Sequence, residues 1–303
     1  MRACAANRFR DAHAREEVER GGDQLGRRDP TALSVTESIA RERCASSNST
    51  RRTQGRTCPV GDRTLAVGPE HPLDSLFERA ARLDTLRPTV LSRSPWVVQF
   101  DEWAPAERVR RMLADAAQGR GTPSTAYSSG RRRGSAPTAS SVRNSTSFGC
   151  SMVSQRCGEV HPTFLRHLFE LRGKLQLARG HADGVNVLRY EVGGFYKLHH
   201  DYISQVLEPR AWSNCGPRQL SFMLYLTDVE GGGATRFPML GLDVTPRAGR
   251  ALLWANVHAE KPLERDVRTA HEALLVTAGT KWVATTWLHA YQMIQNRRSG
   301  CCR

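Results

Sequence analysis

His199 and Asp201 are the residues whose types and spacing most directly suggest chemistry. They lie in the segment Tyr196–Tyr202, which has the sequence YKLHHDY. On an extended strand, residues two apart project from the same side, so His199 and Asp201 converge while His200 points away. One imidazole and one carboxylate supply two of the three protein ligands of a non-haem Fe(II) site.

The third ligand should be a distant histidine on a neighbouring strand. His271, in the segment RTAHEA, is the candidate, and His258 is its competitor. His258 precedes the acidic stretch Glu260–Asp266 and has the setting of a turn residue. The His-x-Asp pair alone is weak evidence, because a chain with 10 histidines and 30 acidic residues will often contain one by chance.

Lys281 adds weight to this set. It opens the predicted strand KWVATTWL in a chain that has only four lysines. Strand alternation places Lys281, Val283, Thr285 and Trp287 on one face. An ammonium group that points into a barrel needs an anionic partner, because an unpaired buried charge is costly. A dicarboxylate cosubstrate would supply that anion.

Short apolar runs separated by turn residues predict a sandwich or jelly roll. Strands are expected at Trp96–Phe100 and at 185–190, 219–226, 234–237, 242–245, 250–256, 271–276 and 281–288. Helices are expected at Pro72–Leu83, Ala106–Ala117 and His161–Gln176. Helices that precede such a set of strands should pack on one outer face. Gln118–Ser147, rich in Gly, Ser and Arg, is typical of a long mobile loop.

Composition divides the chain of 303 residues into three parts. Residues 1–94 contain only two aromatic side chains, Phe9 and Phe77, and are expected to form a largely disordered N-terminal extension. The folded domain is expected over residues 95–296. Residues 297–303 are expected to be a disordered tail.

The net charge of +14 raises the question of nucleic acid. The excess of positive charge is spread along the chain, and Arg131–Arg133 is its one tight run. We therefore expect no dedicated nucleic-acid site. We also expect no membrane span, because no apolar run is long enough to cross a bilayer, and no secretory signal, because the first residues lack an apolar segment.

Four stretches, in order, resemble the catalytic domain of prolyl 4-hydroxylase alpha subunits, a family of 2-oxoglutarate and Fe(II)-dependent dioxygenases. They are VLRYEVGGFYKLHHDY (187–202), CGPRQLSFMLYLTDVEGGGATRFP (215–238), GRALLWANV (249–257) and RTAHEALLVTAGTKWVATTWLH (268–289). The resemblance is dense over the motif core 185–290. It implies a mainly β fold with flanking helices, built on a double-stranded β-helix or jelly-roll core with the N-terminal helices on one face.

The resemblance also implies a role for individual residues. Fe(II) would be bound by His199, Asp201 and His271, and 2-oxoglutarate by Lys281, Tyr190 and Thr235. Tyr196, Arg218 and Trp287 match positions that line the peptide groove of the family. The implied reaction is O2-dependent hydroxylation of peptidyl proline with formation of succinate and CO2, and ascorbate would keep the iron reduced.

Several questions stay open from the sequence. The acceptor could be another protein side chain or a small molecule, and an inactive basic binding module is the alternative of a different class. The family resemblance implies the endoplasmic reticulum, which does not agree with the expected lack of a secretory signal. The eight cysteines include no CxxC pair, which gives a zinc site little support, but Cys150 and Cys157 could bridge across a short loop. The oligomeric state is not indicated.

Overall fold

β-Strands dominate the structure, a computed structural model that describes residues 64–118, 121–124, 142–150, 170, 172–177 and 180–292. All of these residues belong to one unit, Gln54–Arg303. The helices are α1 (Leu73–Ala80), α2 (Ala106–Gln118) and α3 (Pro209–Cys215). The strands are β1 (Pro88–Arg93), β2 (Trp96–Phe100), β3 (Thr122–Pro123), β4 (Arg143–Asn144), β5 (Thr146–Cys150), β6 (Val185–Tyr190), β7 (Phe195–His199), β8 (Arg218–Tyr225), β9 (Gly231–Gly232), β10 (Thr235–Phe237), β11 (Leu242–Val244), β12 (Ala251–Ala255), β13 (His271–Ala273), β14 (Val276–Ala278) and β15 (Lys281–His289).

Two sheets form the barrel. The larger sheet has the strand order β1-β2-β12-β8-β15-β6-β5-β3, and the smaller has the order β11-β10-β13-β7-β4. Inward side chains of both sheets share one apolar cluster, in which Met223 and Trp254 of the larger sheet meet Phe237 and Val244 of the smaller. This is the predicted double-stranded β-helix, and the fold class is confirmed.

The larger sheet is buried on both faces, which explains its long apolar strands. In β8, Leu220, Phe222 and Leu224 contribute to the cluster that the helices cover, whereas Met223 and Tyr225 belong to the cluster between the sheets. Strand alternation alone produces this division, because successive side chains point to opposite faces.

Helices α1 and α2 cover the outer face of the larger sheet, as predicted. The buried residues of α1 recur at helical spacing as Leu73, Leu76, Phe77 and Ala80. Met112 of α2 is fully buried in the same cluster. The expected helices at Pro72–Leu83 and Ala106–Ala117 are confirmed, with small shifts at their ends.

The predicted start of the domain at residue 95 is wrong, because the residues from 64 to 94 are part of the fold. β1 pairs with β2 from Pro88↔Phe100 to Arg93↔Trp96, so the expected boundary cuts through a hairpin. Phe77 stacks on Trp96 with ring centroids 5.5 Å apart. A scarcity of aromatic residues indicated disorder, but a short amphipathic helix and one hairpin bury enough apolar surface to order this segment. Residues 1–63 and 297–303 lie outside the described residues, and their predicted disorder stays a prediction.

The predicted loop Gln118–Ser147 is wrong at both ends. β3 pairs with β5, and β4 pairs with β7 through Arg143↔Tyr196. These edge strands are short and polar, so their pairing partners rather than their own periodicity hold them in the sheets. Residues 125–141 of this stretch lie outside the described residues, as does most of the helix predicted at His161–Gln176.

The predicted strand at 271–276 is two strands, β13 and β14. β14 leaves the smaller sheet and pairs with β9. Gly232 of β9 has φ 70°, and a Cβ there would clash with the carbonyl oxygen of Leu275, so this turn requires glycine. Among the described residues, no helix has the length and apolar character needed to cross a bilayer. Cys215 is disulfide-bonded, while Cys157 lies outside the described residues, so a Cys150–Cys157 bridge stays a prediction.

Candidate active site

The pairing of β7 with β13 places His199 directly opposite His271. Asp201 follows β7 by two residues, and its carboxylate reaches both imidazoles. Oδ1 of Asp201 lies 3.8 Å from Nε2 of His199, and Oδ2 lies 3.8 Å from Nε2 of His271. One ligand atom from each of the three side chains lies within 4.8 Å of the others. The structure thus brings the three predicted ligand residues together.

Backbone carbonyls hold both imidazoles in one orientation. Nδ1 of His199 is 2.9 Å from the carbonyl oxygen of Lys197, and Nδ1 of His271 is 3.0 Å from that of Thr269. Because a carbonyl only accepts, each Nδ1 carries a proton, which leaves Nε2, on the side of Asp201, as the nitrogen that can coordinate a metal. Burial lowers the pKa of His199 well below its usual value, and His271 lowers it further. Neutral imidazole is the form that binds a metal.

Two buried polar side chains orient Asp201. The hydroxyl of Ser221 donates to Oδ2 of Asp201 at 2.7 Å, and Nδ2 of Asn256 donates to Oγ of Ser221 at 2.8 Å. Burial alone would raise the pKa of the Asp201 carboxyl, but the adjacent imidazoles, Arg218 and the hydrogen bond from Ser221 lower it below its ordinary value. Asp201 is therefore ionised at neutral pH.

This set of donors fits a non-haem Fe(II) ion. Two neutral imidazoles and one carboxylate are the ligand types of the facial triad, which leaves further coordination positions open. Aromatic rings surround the ligands. Trp254 lies with its ring centroid 5.0 Å from that of His271, and Tyr196 stacks on His199 at 3.6 Å. These rings fix the imidazole planes and exclude water from one side of the site.

Lys281 is a buried ammonium, 1% exposed, at the start of β15. Its Nζ donates to the carbonyl oxygen of Gly233 at 2.6 Å and lies 5.4 Å from the ring centroid of Tyr190 and 5.6 Å from that of Tyr225. No carboxylate forms an ion pair with it among the described residues. Burial lowers the pKa of Lys281 to about 7. A bound anion would restore its charge.

Tyr190 and Thr235 line the same cavity as Lys281, from the larger and the smaller sheet respectively. Tyr190 of β6 is the register partner of Lys281. Thr235 is buried in β10, and its Oγ1 accepts a hydrogen bond from the hydroxyl of Tyr225 at 2.7 Å. Because Tyr225 supplies the proton in that bond, the hydroxyl of Thr235 keeps its own proton to donate to a ligand.

Arg218, at the start of β8, and Trp287, in β15, stack on each other and both line the cavity. The guanidinium of Arg218 lies over the Trp287 ring, 3.8 Å from its centroid, and its Nη2 is 3.7 Å from Oδ2 of Asp183. On another wall, the guanidinium of Arg143 lies 4.3 Å from the ring centroid of Tyr196. Flat aromatic and guanidinium surfaces of this kind can pack against a planar or ring-shaped group.

A single cavity of about 550 Å³ joins these groups. Every residue that the sequence assigned to the metal, the cosubstrate or the substrate lines it, namely Tyr190, Tyr196, His199, Asp201, Arg218, Thr235, His271, Lys281 and Trp287.

His258 and His200, the other two histidines discussed above, make contacts outside the triad. Nδ1 of His258 lies 3.4 Å from Oδ2 of Asp266, 42% of the His258 side chain is exposed, and His258 is not among the residues that line the cavity. Nε2 of His200 is 2.7 Å from the carbonyl oxygen of Asp266, and its Nδ1 accepts from the backbone N–H of Tyr202. His200 therefore holds the turn that precedes His271, in agreement with the expectation that it points away from the ligands.

Sequence reasoning missed several residues that line this cavity or contact its predicted metal ligands. His289 continues the inward face of β15 two residues beyond Trp287, so alternation could have found it. Ser221 is a lone small polar residue on the inward face of β8, which is a weaker signal. Asp183, which precedes β6, and Glu208, which precedes α3, carried no signal in the sequence, because only the fold brings them to the cavity.

Comparison with known proteins agrees with this site. Residues 185–289 match the family model described as the 2OG-Fe(II) oxygenase superfamily. The chain is 39% identical over 111 residues to prolyl 4-hydroxylase subunit alpha-3 of Bos taurus. The aligned region covers 37% of this chain and 20% of that relative. The chain is 40% identical over 110 residues to the human alpha-1 subunit, covering 36% and 20% respectively. The chain therefore spans about a fifth of the length of these relatives.

A solved structure shares the fold. It is a prolyl hydroxylase from Trichoplax adhaerens in complex with a hypoxia inducible factor oxygen degradation domain peptide fragment. The TM-score is 0.50 at 13% sequence identity, and the alignment covers 76% of this chain and 94% of that one.

Proposed function

We propose, from the premise that residues 185–289 form a domain of the 2OG-Fe(II) oxygenase superfamily, that this protein hydroxylates proline in peptides. The reaction would consume O2 and 2-oxoglutarate and release succinate and CO2. The observation that carries the proposal is the juxtaposition, in one cavity, of the His199–Asp201–His271 triad with the buried ammonium of Lys281.

His199, Asp201 and His271 would hold the iron through Nε2, a carboxylate oxygen and Nε2. Bound Fe(II) would supply the activation of O2 and the oxidation of an unactivated C–H bond. The chain's own part is to fix the ligands. The carbonyls of Lys197 and Thr269 set the tautomers of the two histidines, and the hydroxyl of Ser221 sets the orientation of the carboxylate.

Lys281 would bind the distal carboxylate of 2-oxoglutarate. An unpaired buried ammonium is costly, and a carboxylate that enters with its own negative charge removes that cost. The hydroxyl of Thr235 would donate to the same carboxylate, and Tyr190 would line it from the register position beside Lys281. These residues select a diacid of fixed length, because the other end must reach the metal.

Tyr196, Arg218 and Trp287 would position the acceptor peptide. The indole of Trp287 is held by the Arg218 guanidinium, and the ring of Tyr196 is held by stacking on His199. A proline ring packs on such surfaces without losing side-chain entropy, since its ring is already rigid. The homologous prolyl 4-hydroxylase alpha subunits support proline as the acceptor.

The test is turnover on peptides. Purified protein with Fe(II), 2-oxoglutarate and ascorbate would be given poly-proline and collagen-like peptides, and succinate and peptide mass would both be read. Succinate together with one added oxygen atom on proline supports the proposal. Succinate without peptide oxidation removes proline as the acceptor and leaves a related oxygenase with another substrate. Bound iron with neither signal favours the inactive binding module.

A further inference from the structure

The part of the β7–β8 connection that follows Asp201 forms a wall of the cavity. Tyr202, Ile203, Glu208, Ala211 and Cys215 of this segment line it. The wall is held in place from behind, because the hydroxyl of Tyr202 donates to the carbonyl oxygen of Leu263 at 2.6 Å, and Nε1 of Trp212 donates to the Tyr202 hydroxyl at 3.1 Å. These two contacts tie the side chains of Tyr202 and Trp212 to each other and to the backbone at Leu263.

Glu208 is the acidic residue of this wall, and its carboxylate has no structural task. It occupies the N-cap position of α3, but its side chain makes no capping hydrogen bond. Among the described residues, no side chain forms a hydrogen bond or an ion pair with its carboxylate. The main-chain groups of Glu208 are satisfied, since its N–H donates to Ser204 and its carbonyl accepts from Trp212.

The other carboxylates of the cavity are already engaged. Asp201 accepts from Ser221 and faces the imidazoles. Asp183 accepts from the backbone N–H of Gly184 at 2.7 Å and lies 3.7 Å from Arg218. The positive charge of Arg218 acts on the carboxyl of Glu208. The same guanidinium also lies 3.7 Å from Asp183 and stacks on the Trp287 ring.

Partial burial of Glu208 without a partner has a cost. Burial raises the pKa of its carboxyl, and the more distant charge of Arg218 only partly opposes that effect. A carboxylate that has lost part of its water recovers free energy when a cation with N–H donors replaces that water. Lysine and arginine side chains are the cations that a peptide substrate can offer.

We propose that Glu208 forms a subsite for a basic side chain, so that the preferred acceptor is a proline peptide with a lysine or arginine close to the hydroxylated proline. This inference rests on the proposed function, because the subsite opens on the same cavity as the metal ligands. It adds a determinant of sequence preference that the metal and cosubstrate residues do not provide.

The experiment compares matched peptides in which one position near a single proline is varied. Each position from two before to two after the proline carries arginine, its neutral isostere citrulline, or glutamate. The measured quantity is kcat/KM for oxidation of the proline. For the wild type, we expect one position at which arginine gives about a ten-fold higher kcat/KM than citrulline, mostly through KM.

Two variants and one control complete the test. Glu208→Gln should reduce the arginine-to-citrulline ratio to about one, and Glu208→Lys should favour glutamate at the same position. Glu260→Gln removes an exposed acidic side chain outside the cavity and should keep the wild-type ratio.

The outcomes separate the inference from the function it rests on. Oxidation of all peptides with equal kcat/KM, or a preference for arginine that persists in Glu208→Gln, overturns the subsite while proline hydroxylation stands. If no peptide of the set is oxidised, the proposed function is overturned and the subsite with it.

Discussion

The hydroxyl of Ser221 donates to Oδ2 of Asp201 at 2.7 Å, and both side chains are largely buried. Asn256 holds that hydroxyl from the other side. This hydrogen bond to Oδ2 restricts the carboxylate rotamer, and among the described residues no hydrogen bond reaches Oδ1. This contact reaches across from the larger sheet to the loop that follows β7, so it ties Asp201 to β8.

Removing this contact should weaken metal binding. For Ser221→Ala, we expect a roughly 10- to 100-fold lower affinity for Fe(II) or for Co(II) as its probe, because the carboxylate loses its orienting donor. Titration calorimetry in the absence of cosubstrate measures this directly. Ser221→Thr keeps the hydroxyl and is the matched control. Equal affinities for the wild type and Ser221→Ala would mean that Asp201 needs no orientation by Ser221.

Substitution of a triad residue should abolish metal retention. His199→Ala, Asp201→Ala and His271→Ala each remove one of three ligands, and we expect both stoichiometric metal content and turnover to be lost. His258→Ala removes a histidine that does not line the cavity and should retain both. Elemental analysis after desalting gives the metal content. Full metal content in any of the three triad variants would exclude that residue as a ligand.

Lys281→Ala should act on the cosubstrate rather than on the metal. We expect the KM for 2-oxoglutarate to rise by about 100-fold or more, because a buried charge-assisted contact is lost, while iron stays bound. Steady-state kinetics and metal analysis of the same preparation separate the two effects. An unchanged KM would show that another residue binds the distal carboxylate.

The buried ammonium of Lys281 also predicts how stability depends on pH. Its pKa is lowered to about 7 in the folded protein, from an ordinary value of 10.5. Between pH 7 and pH 10.5, Lys281 binds more protons in the unfolded chain than in the folded protein. The contribution of Lys281 to the free energy of unfolding therefore rises with pH over this range. Denaturant unfolding at several pH values, without cosubstrate, should show this rise in the wild type and a smaller one in Lys281→Met. Identical pH slopes for both proteins would contradict it.

The chain from residue 64 to 94 should be required for stability. A shortened chain that begins at Pro95 uncovers the outer face of the larger sheet and loses Leu76 and Phe77, whose burial is worth about 3 to 6 kcal/mol together. It also loses the pair of hydrogen bonds, 2.9 and 2.8 Å long, between the Gln219 side chain and the backbone of Val67. We expect the chain that begins at Pro95 to melt at a lower temperature than a chain that begins at Gln54, or to aggregate. Equal melting temperatures would place the domain start at 95 after all.

Much of the fold and the principal cavity residues could be predicted from the sequence. Successive side chains in β8 and β15 point to opposite faces of the sheet, so the alternation of residue types in the sequence shows which ones share a face. This alternation correctly predicted that Lys281 and Trp287 lie on the same face. The His-x-Asp spacing predicted convergence, because β7 is extended up to His199.

What the sequence did not predict depends on partners distant in the chain. β4 pairs with β7, and β5 pairs with β6. β1 forms a hairpin with β2. Composition cannot reveal such pairing, so these segments were mistaken for loop and disorder. Glu208 and Asn256 reach the site from segments of ordinary composition, and only the closed barrel brings them beside the metal ligands and the cavity.

The most direct test of the account follows the oxygen atom. Iron-loaded protein would be incubated with 2-oxoglutarate, a proline peptide and heavy-isotope dioxygen, and both succinate and hydroxyproline would be counted. We expect one succinate for each hydroxyproline, with the heavy isotope in the new hydroxyl group, and neither product from Asp201→Ala. Hydroxyproline that carries oxygen from water, or that forms without succinate, would contradict it.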